Sequence, residues 1–355
     1  MARTYSAAIE LFLTDFFRTL PESLPYDLSA TNQQALDYLA EYTLRPGKRI
    51  RGSLAAYAFE YSQHGDALEG PVRQEAIALG AAMELIQSYF LVIDDVMDRS
   101  EVRRGKPTIH KLYEKDKNFA HDPHLSDMMA FNTGLLAQNL ANIIISRIPL
   151  PSERIQRVIK TLHESVLATT FGQLEDTAQH IQSPTTEADI LYKQLLKSSY
   201  YTCIGPLVTG LQLGGIEDKK VLREATSFGK AGGIYHQLQD DYIGVFGDEA
   251  VTGKSSSDDI IEGKMTLFVT YSLAHASESE KVALLEVLGN PSASPMQVQR
   301  VRDIFVACGA VEYLEAQRDS YRDTARAVLG KSTFWSKQSK DLLDSMLRFS
   351  LKRGY

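Results

Sequence analysis

Two short acidic motifs carry the chemistry. In Asp94-Asp95-Val96-Met97-Asp98 the outer aspartates stand four residues apart. On a helix that spacing puts two carboxylates on one face, about 5–6 Å apart, where they can hold one cation between them or two adjacent ones. Oxygen ligands alone suit Mg²⁺, which keeps several waters and is commonly completed by phosphate oxygens. Asp95 points to another side and supports the site rather than joining it. The second pair, Asp240-Asp241, follows Gln237-Leu238-Gln239. Aromatic residues and a glutamine precede both pairs: Gln87, Tyr89 and Phe90 before the first, Tyr235 and Gln237 before the second. A single motif of this kind is as readily a solvated helix face. Two copies, each ending an apolar helix, favour the metal reading, because buried carboxylates without cations or partners are expensive. Two such helix ends facing each other would build a multi-metal pocket.

Basic clusters lie close by. Gly47-Lys48-Arg49-Ile50-Arg51 and Arg103-Arg104-Gly105-Lys106-Pro107 each concentrate cations in a few residues, the second just past Asp98. Arginine suits bidentate phosphate contacts. Gly172-Gln173-Leu174-Glu175-Asp176, Lys197-Ser198, Lys254 and Lys264 are polar features that say little singly. His110 reads as structural. His121 and His124 form an isolated pair in a loop-like stretch, without the further ligands a zinc site needs.

Helices must position these residues. Apolar residues recur with helical periodicity in segments 73–98, 128–147, 153–181, 187–213, 219–245, 262–277 and 297–329. Segment 73–98 is apolar on every side and reads as a core helix. The β-branched run Ile143–Ile145 is the main place where a strand could compete. Loops are expected near 62–71, 114–126, 149–152, 182–186, 247–258 and 289–295. No linker splits the chain, so residues 1–355 read as one all-α domain. With 355 residues, 44 % of them apolar, a folded core is expected. The net charge of −7 argues against nucleic acid, which normally binds a basic face. Two unpaired-looking cysteines, Cys203 and Cys308, fit a reducing compartment. Glu10 and Asp15 interrupt the N-terminal apolar stretch, so no signal peptide is expected. No apolar run approaches the roughly 18 residues a membrane span needs. The expected location is the cytoplasm.

Taken together and in order, these elements resemble the trans-isoprenyl diphosphate synthase (polyprenyl synthetase) family, close to its farnesyl and geranylgeranyl diphosphate synthases. The resemblance covers about residues 40–270. It rests on Gly47, Lys48 and Arg51; Asp94, Asp95 and Asp98; Arg103, Arg104, Gly105 and Pro107; Gly172, Gln173 and Asp176; Lys197 and Ser198; Gln237, Asp240 and Asp241; and Gly247-Asp248, Gly253-Lys254 and Asp259 through Lys264. It implies an isoprenoid-synthase fold, a single helical bundle around a deep central cavity, usually a homodimer. It also implies a transferase that condenses isopentenyl diphosphate with an allylic diphosphate. By the same resemblance Asp94, Asp98 and Asp240 bind Mg²⁺ on the allylic diphosphate, which Arg103, Lys197 and Lys254 grip. Lys48, Arg51, Gln87 and Arg104 bind isopentenyl diphosphate, Ser198 and Gln237 stabilise the allylic cation, and Lys264 lies near the diphosphates. The sequence departs from the pattern in several places. Gly244 stands where the second motif usually ends in aspartate, His236 where phenylalanine is common, and Leu135 where an aspartate is often seen. One residue is inserted between Lys254 and Asp259. Lys352-Arg353 weakly match the basic tail of some relatives.

Two other readings compete. A terpene cyclase of the same fold would need no second diphosphate site, so Lys48, Arg51, Gln87 and Arg104 favour the transferase. A non-catalytic subunit of a prenyl synthase gains room from Gly244, but Asp94, Asp98, Asp240, Lys197 and Lys254 are all retained. The prenyl tail should run from the metals into the helix core. Tyr89 and Phe90, one turn before Asp94, would floor that path and favour a C15 product over a C20 one.

Overall fold

The computed structural model describes residues 2–65, 72–179, 185–248 and 256–351. Helices make up nearly all of it, as the periodicity predicts. The chain gathers into two compact units. One comprises Met1–Leu162 with Pro206–Glu217, the other His163–Gly205 with Asp218–Tyr355.

The first unit holds α1 (Ala2–Ser23), α2 (Ala30–Leu44), α3 (Ile50–His64), α4 (Gln74–Met97), α5 (Ile109–Glu114) and α6 (Pro123–Ser146). Every residue of α4 from Ala76 to Ile86 is buried. The all-round apolar pattern therefore makes a core helix, against which α1, α3 and α6 pack. The Ile143–Ile145 run is helical. The sequence reading needs amending on one point. By length and hydropathy α4 and α6, 24 residues each, could both cross a membrane. For α4 burial accounts for the apolarity, since 67 % of its apolar window is covered within the protein. In α6 the figure is 44 %, and Met128, Leu135 and Leu136 are exposed.

Past α4 the chain makes a small hairpin that periodicity did not reveal. β1 (Val102–Arg103) pairs antiparallel with β2 (Lys106–Pro107), Arg103 opposite Lys106. The two turn residues, Arg104 and Gly105, have φ of 55° and 74°. A two-residue hairpin turn of this hand needs positive φ at both positions. Glycine accepts that freely, whereas Arg104 is strained into it.

The second unit takes the larger part of α7 (Ser152–Ala178), then α8 (Glu187–Gln194), a π-helix (Leu195–Ile204) and α10 (Lys219–Phe246). The intervening α9 (Gly205–Leu213) belongs mainly to the first unit. The second unit continues with α11 (Asp258–Ile261), α12 (Leu267–His275), α13 (Glu278–Val287), α14 (Pro295–Ala307), α15 (Ala310–Lys331) and α16 (Lys337–Leu351). Its core clusters Leu238, Leu267, Phe268, Leu284, Val301, Phe305 and Leu314. Phe268 and Phe305 stack at 5.3 Å between centroids. Two expected helices are divided, and the expected 262–277 helix starts late, at Leu267. Gly309, at φ 84°, ends α14 and starts α15 within the expected 297–329 helix. Gly263, at φ 69°, separates α11 from α12. Segment 187–213 switches to π geometry in its middle. Its neighbours approach it closely there. A Cβ on Gly172 of α7 would sit 2.2 Å from the Lys197 nitrogen, and one on Gly233 of α10 would sit 2.4 Å from the Ser199 Cα. Both helices thus press backbone to backbone on the π-helix. Such bulges are frequent at functional sites, and this one carries Lys197 and Ser198.

Candidate active site

In the first unit the acidic motif closes α4. Asp94 lies in the last turn and Asp98 is the C-cap, its N–H donating to the Asp94 carbonyl at 2.8 Å. Both carboxylates are half-buried. Asp95 is buried and committed to the protein: Tyr42 donates to its Oδ2 at 2.6 Å, and Arg103 binds its Oδ1 through both Nε (2.7 Å) and Nη2. The middle aspartate therefore holds Arg103, whose Nη2 also lies 3.9 Å from Asp94 Oδ2. Burial opposes charge on Arg103, but Asp95, Tyr42 and Asp94 outweigh it and hold the guanidinium firmly protonated.

The two basic motifs form one platform around Arg45, a residue the sequence reading did not single out. Arg45 is buried. Its guanidinium donates to Glu41 Oε2 (2.7 and 2.9 Å), to the Arg103 carbonyl (3.1 Å) and to the Pro107 carbonyl (2.8 Å), and lies over the Tyr42 ring at 4.8 Å. Its own carbonyl accepts from Arg49 (2.9 Å) and Arg104 (3.1 Å). Lys106 completes the group on Glu41 at 2.7 Å. Arg49, at φ 49°, is an internal strut: it bonds the Thr43 carbonyl at 2.7 Å and Glu10 at 3.1 Å, and pairs with buried Glu84 at 3.5 Å. Glu84 was legible, since a lone carboxylate inside an apolar core helix demands a partner. Lys48 is half-buried and Arg51 buried, flanking the start of α3, where the Gly52 N–H donates to Glu84 Oε1 at 2.9 Å. Burial, with Arg49 nearby, makes a bare charge on Arg104 less favourable than usual. Gln87, Tyr89 and Phe90 are half-buried along α4, and the two rings lie 4.8 Å apart. His110 is buried, as its structural reading expects.

In the second unit Lys197, on the π-helix, contacts Asp176 Oδ2 at 2.6 Å, and Lys193 contacts Oδ1 at 2.9 Å. Burial would raise the Asp176 carboxyl, but Lys197 and then Lys193 outweigh it and hold it well below the usual carboxylate range. Ser198 donates to Gln237 Oε1 at 2.5 Å, Gln237 donates to Asp241 Oδ1 at 2.8 Å, and Gln194 donates to Asp241 Oδ2 at 2.8 Å. Both oxygens of buried Asp241 are thus engaged, whereas Asp240 is half-buried, 3.5 Å from His236 Nδ1. Burial, with Asp259 and Asp240 as like-charged neighbours, pushes the Asp241 carboxyl up to about 7 against the Gln237 bond and the Lys193 charge. Lys264 pairs with Glu262 at 2.8 Å and Asp259 at 3.5 Å. Lys254 and Lys352-Arg353 lie outside the described residues.

The donors fit a magnesium ion. They are hard carboxylate oxygens on helix ends. Among the described residues no group of three His, Cys, Asp or Glu side chains could hold a metal alone.

A family model described as polyprenyl synthetase matches residues 33–305. A geranylfarnesyl diphosphate synthase of Aeropyrum pernix is 32 % identical over 280 residues, covering 78 % of this chain and 83 % of that protein. A farnesyl pyrophosphate synthase of Nezara viridula is 29 % identical, covering 88 % and 76 %. Among solved structures, a geranylgeranyl pyrophosphate synthase of Corynebacterium glutamicum, complexed with isoprenyl diphosphate and magnesium, superposes with a TM-score of 0.90 at 26 % identity over 99 % of both chains.

Proposed function

We propose that this chain, which belongs to the polyprenyl synthetase family, is a magnesium-dependent short-chain prenyltransferase that joins isopentenyl diphosphate to an allylic diphosphate and releases diphosphate. The observation that carries the reading is the Arg45 platform. There the Arg45 guanidinium donates to the Arg103 carbonyl, and the Arg45 carbonyl accepts from Arg49 and Arg104, so both basic elements are braced on one residue. The family resemblance assigns Arg103 and Arg104 to two different diphosphates, and a single-substrate cyclase has no use for the second.

Asp94, Asp98 and Asp240 would hold the magnesium. When bound, it neutralises charge on the leaving diphosphate. Arg103, Lys197 and Lys254 add fixed positive charge to the same group, which lowers the cost of breaking the allylic carbon–oxygen bond. Lys48, Arg51, Gln87 and Arg104 orient isopentenyl diphosphate so that its π-electrons form the new carbon–carbon bond. The oxygens of Ser198 and Gln237 face positive charge with their dipoles. Gln237 is oriented for this, because Ser198 and Asp241 fix the two ends of its amide. The proton lost in restoring a double bond passes to the departing diphosphate, so no histidine base is needed.

Tyr89 and Phe90 favour a C15 product, with C20 the second outcome. The relatives above carry farnesyl, geranylgeranyl and geranylfarnesyl names, so similarity does not choose among lengths. A cytoplasmic homodimer belongs to the same proposal, supported by the exposed apolar residues Met128, Leu135 and Leu136 on α6. The test is incubation of the purified protein with Mg²⁺, labelled isopentenyl diphosphate and a series of allylic diphosphates, with products separated by length. A C15 or C20 diphosphate is expected. Cyclised product from the allylic substrate alone, or no condensation, would reject the reading.

A further inference from the structure

We propose that Lys193, a residue outside every motif described above, is a positioning residue that keeps Asp176 neutralised when Lys197 turns its ammonium group to the leaving diphosphate. The inference deepens the reading in which Lys197 grips the allylic diphosphate, and rests on it.

Asp176, on α7, holds one lysine on each carboxylate oxygen: Lys197 on Oδ2 at 2.6 Å and Lys193 on Oδ1 at 2.9 Å. Lys193 lies near the end of α8, and Lys197 on the π-helix that continues it. The two lysines differ in what else holds them. The Lys193 side chain is 8 % exposed and also donates to the Met265 carbonyl at 2.8 Å. The Lys197 side chain is 25 % exposed. Lys193 is therefore the fixed partner of Asp176, and Lys197 the one that reaches solvent, from which a diphosphate arrives.

The second lysine changes what binding costs. The Asp176 side chain is only 15 % exposed. Were Lys197 its single counter-ion, any move of Lys197 towards a phosphate would strand a buried carboxylate, which is strongly unfavourable. The diphosphate would then compete with Asp176 for one ammonium group. With Lys193 in place, the carboxylate keeps a positive charge at 2.9 Å whichever way Lys197 points. Two cations on one anion also leave this trio with a net positive charge, which favours an incoming phosphate.

The test measures binding of geranyl thiodiphosphate, an allylic analogue whose bridging sulfur slows ionisation, by isothermal titration calorimetry in Mg²⁺. Circular dichroism checks folding. Lys193→Gln keeps a donor for the Met265 carbonyl and removes the charge. It should weaken the analogue about tenfold and raise KM for the allylic substrate, with KM for isopentenyl diphosphate unchanged. The same change in an Asp176→Asn background should cost nothing, because no carboxylate is left to neutralise. That second comparison decides the matter even if Lys193→Gln alone fails to fold. Native-like affinity in folded Lys193→Gln overturns the inference. So does an equal loss in the Asp176→Asn background, which would mean that Lys193 acts through its charge on Asp241 instead. Either result leaves the proposed function standing. Failure of the native protein to bind the analogue overturns both.

Discussion

At the scale of single residues, the proposed function divides the charged side chains into those that would face a ligand and those that hold them in place. The sequence distinguishes the two poorly. The four-residue spacing singled out Asp94 and Asp98, and the family resemblance singled out Asp240. Asp176 and Asp95 appeared in motifs, but only their partners in space show that each anchors a cation, Lys197 and Arg103 respectively. Arg45 showed only a local i,i+4 partner in Glu41, because the two carbonyls it binds lie about sixty residues away in the chain. The Asp176 carboxyl, depressed by its two lysines, makes a prediction. An unfolded aspartate titrates near about 3.9. A group whose folded pKa lies lower adds stability above that value and loses it as pH falls towards the folded pKa. Melting temperature should therefore fall below about pH 4, in part through Asp176. Asp176→Asn should lower it at neutral pH and flatten the acid-side slope. Parallel melts of the two proteins between pH 2 and 7 check this, and equal slopes would reject the assignment.

At the scale of elements, helix existence followed from periodicity, while the interruptions followed from close packing that no periodicity records. The π-helix is the clearest case. Its sequence reads as ordinary helix, and Gly172 on one side and Gly233 on the other approach its backbone closely. Gly172→Ala would drive a methyl group into the Lys197 backbone. Overpacking of that kind costs about 1–3 kcal/mol. Denaturant titration should show that loss, and the KM for the allylic substrate should rise as Lys197 shifts. An alanine variant with native stability and KM would mean that the π-helix does not need the close contact. The hairpin escaped detection because it pairs only two residues per strand, though Arg-Gly in its turn was a usable cue. On α4 the two aromatic rings make a second element-scale prediction. Tyr89→Ala with Phe90→Ala should lengthen the main product by at least one C5 unit, since close-packed interiors do not take extra methylenes cheaply. Chromatography of the product decides it. Unchanged length in an active double variant places the floor on another helix.

At the scale of the whole molecule, the all-α architecture and the order of motifs were legible from the chain. Its division into two compact units was not, because no linker or change of composition marks the boundary. α6 is apolar enough by length and hydropathy to pass for a membrane span, and only the fold shows that part of its apolar surface is left exposed. The Arg45 platform has a consequence for how the protein fails. One guanidinium and its own carbonyl brace the residues assigned to both substrates. Partial heating should therefore remove active molecules one by one rather than blunt their selectivity. The survivors of a timed heat challenge should keep the native ratio of the two KM values and the native product profile while total activity declines. Arg45→Lys offers fewer donors, fixed in no planar array, to the same set of acceptors. It should raise both KM values together, and a rise in only one would show that the two sites are braced independently.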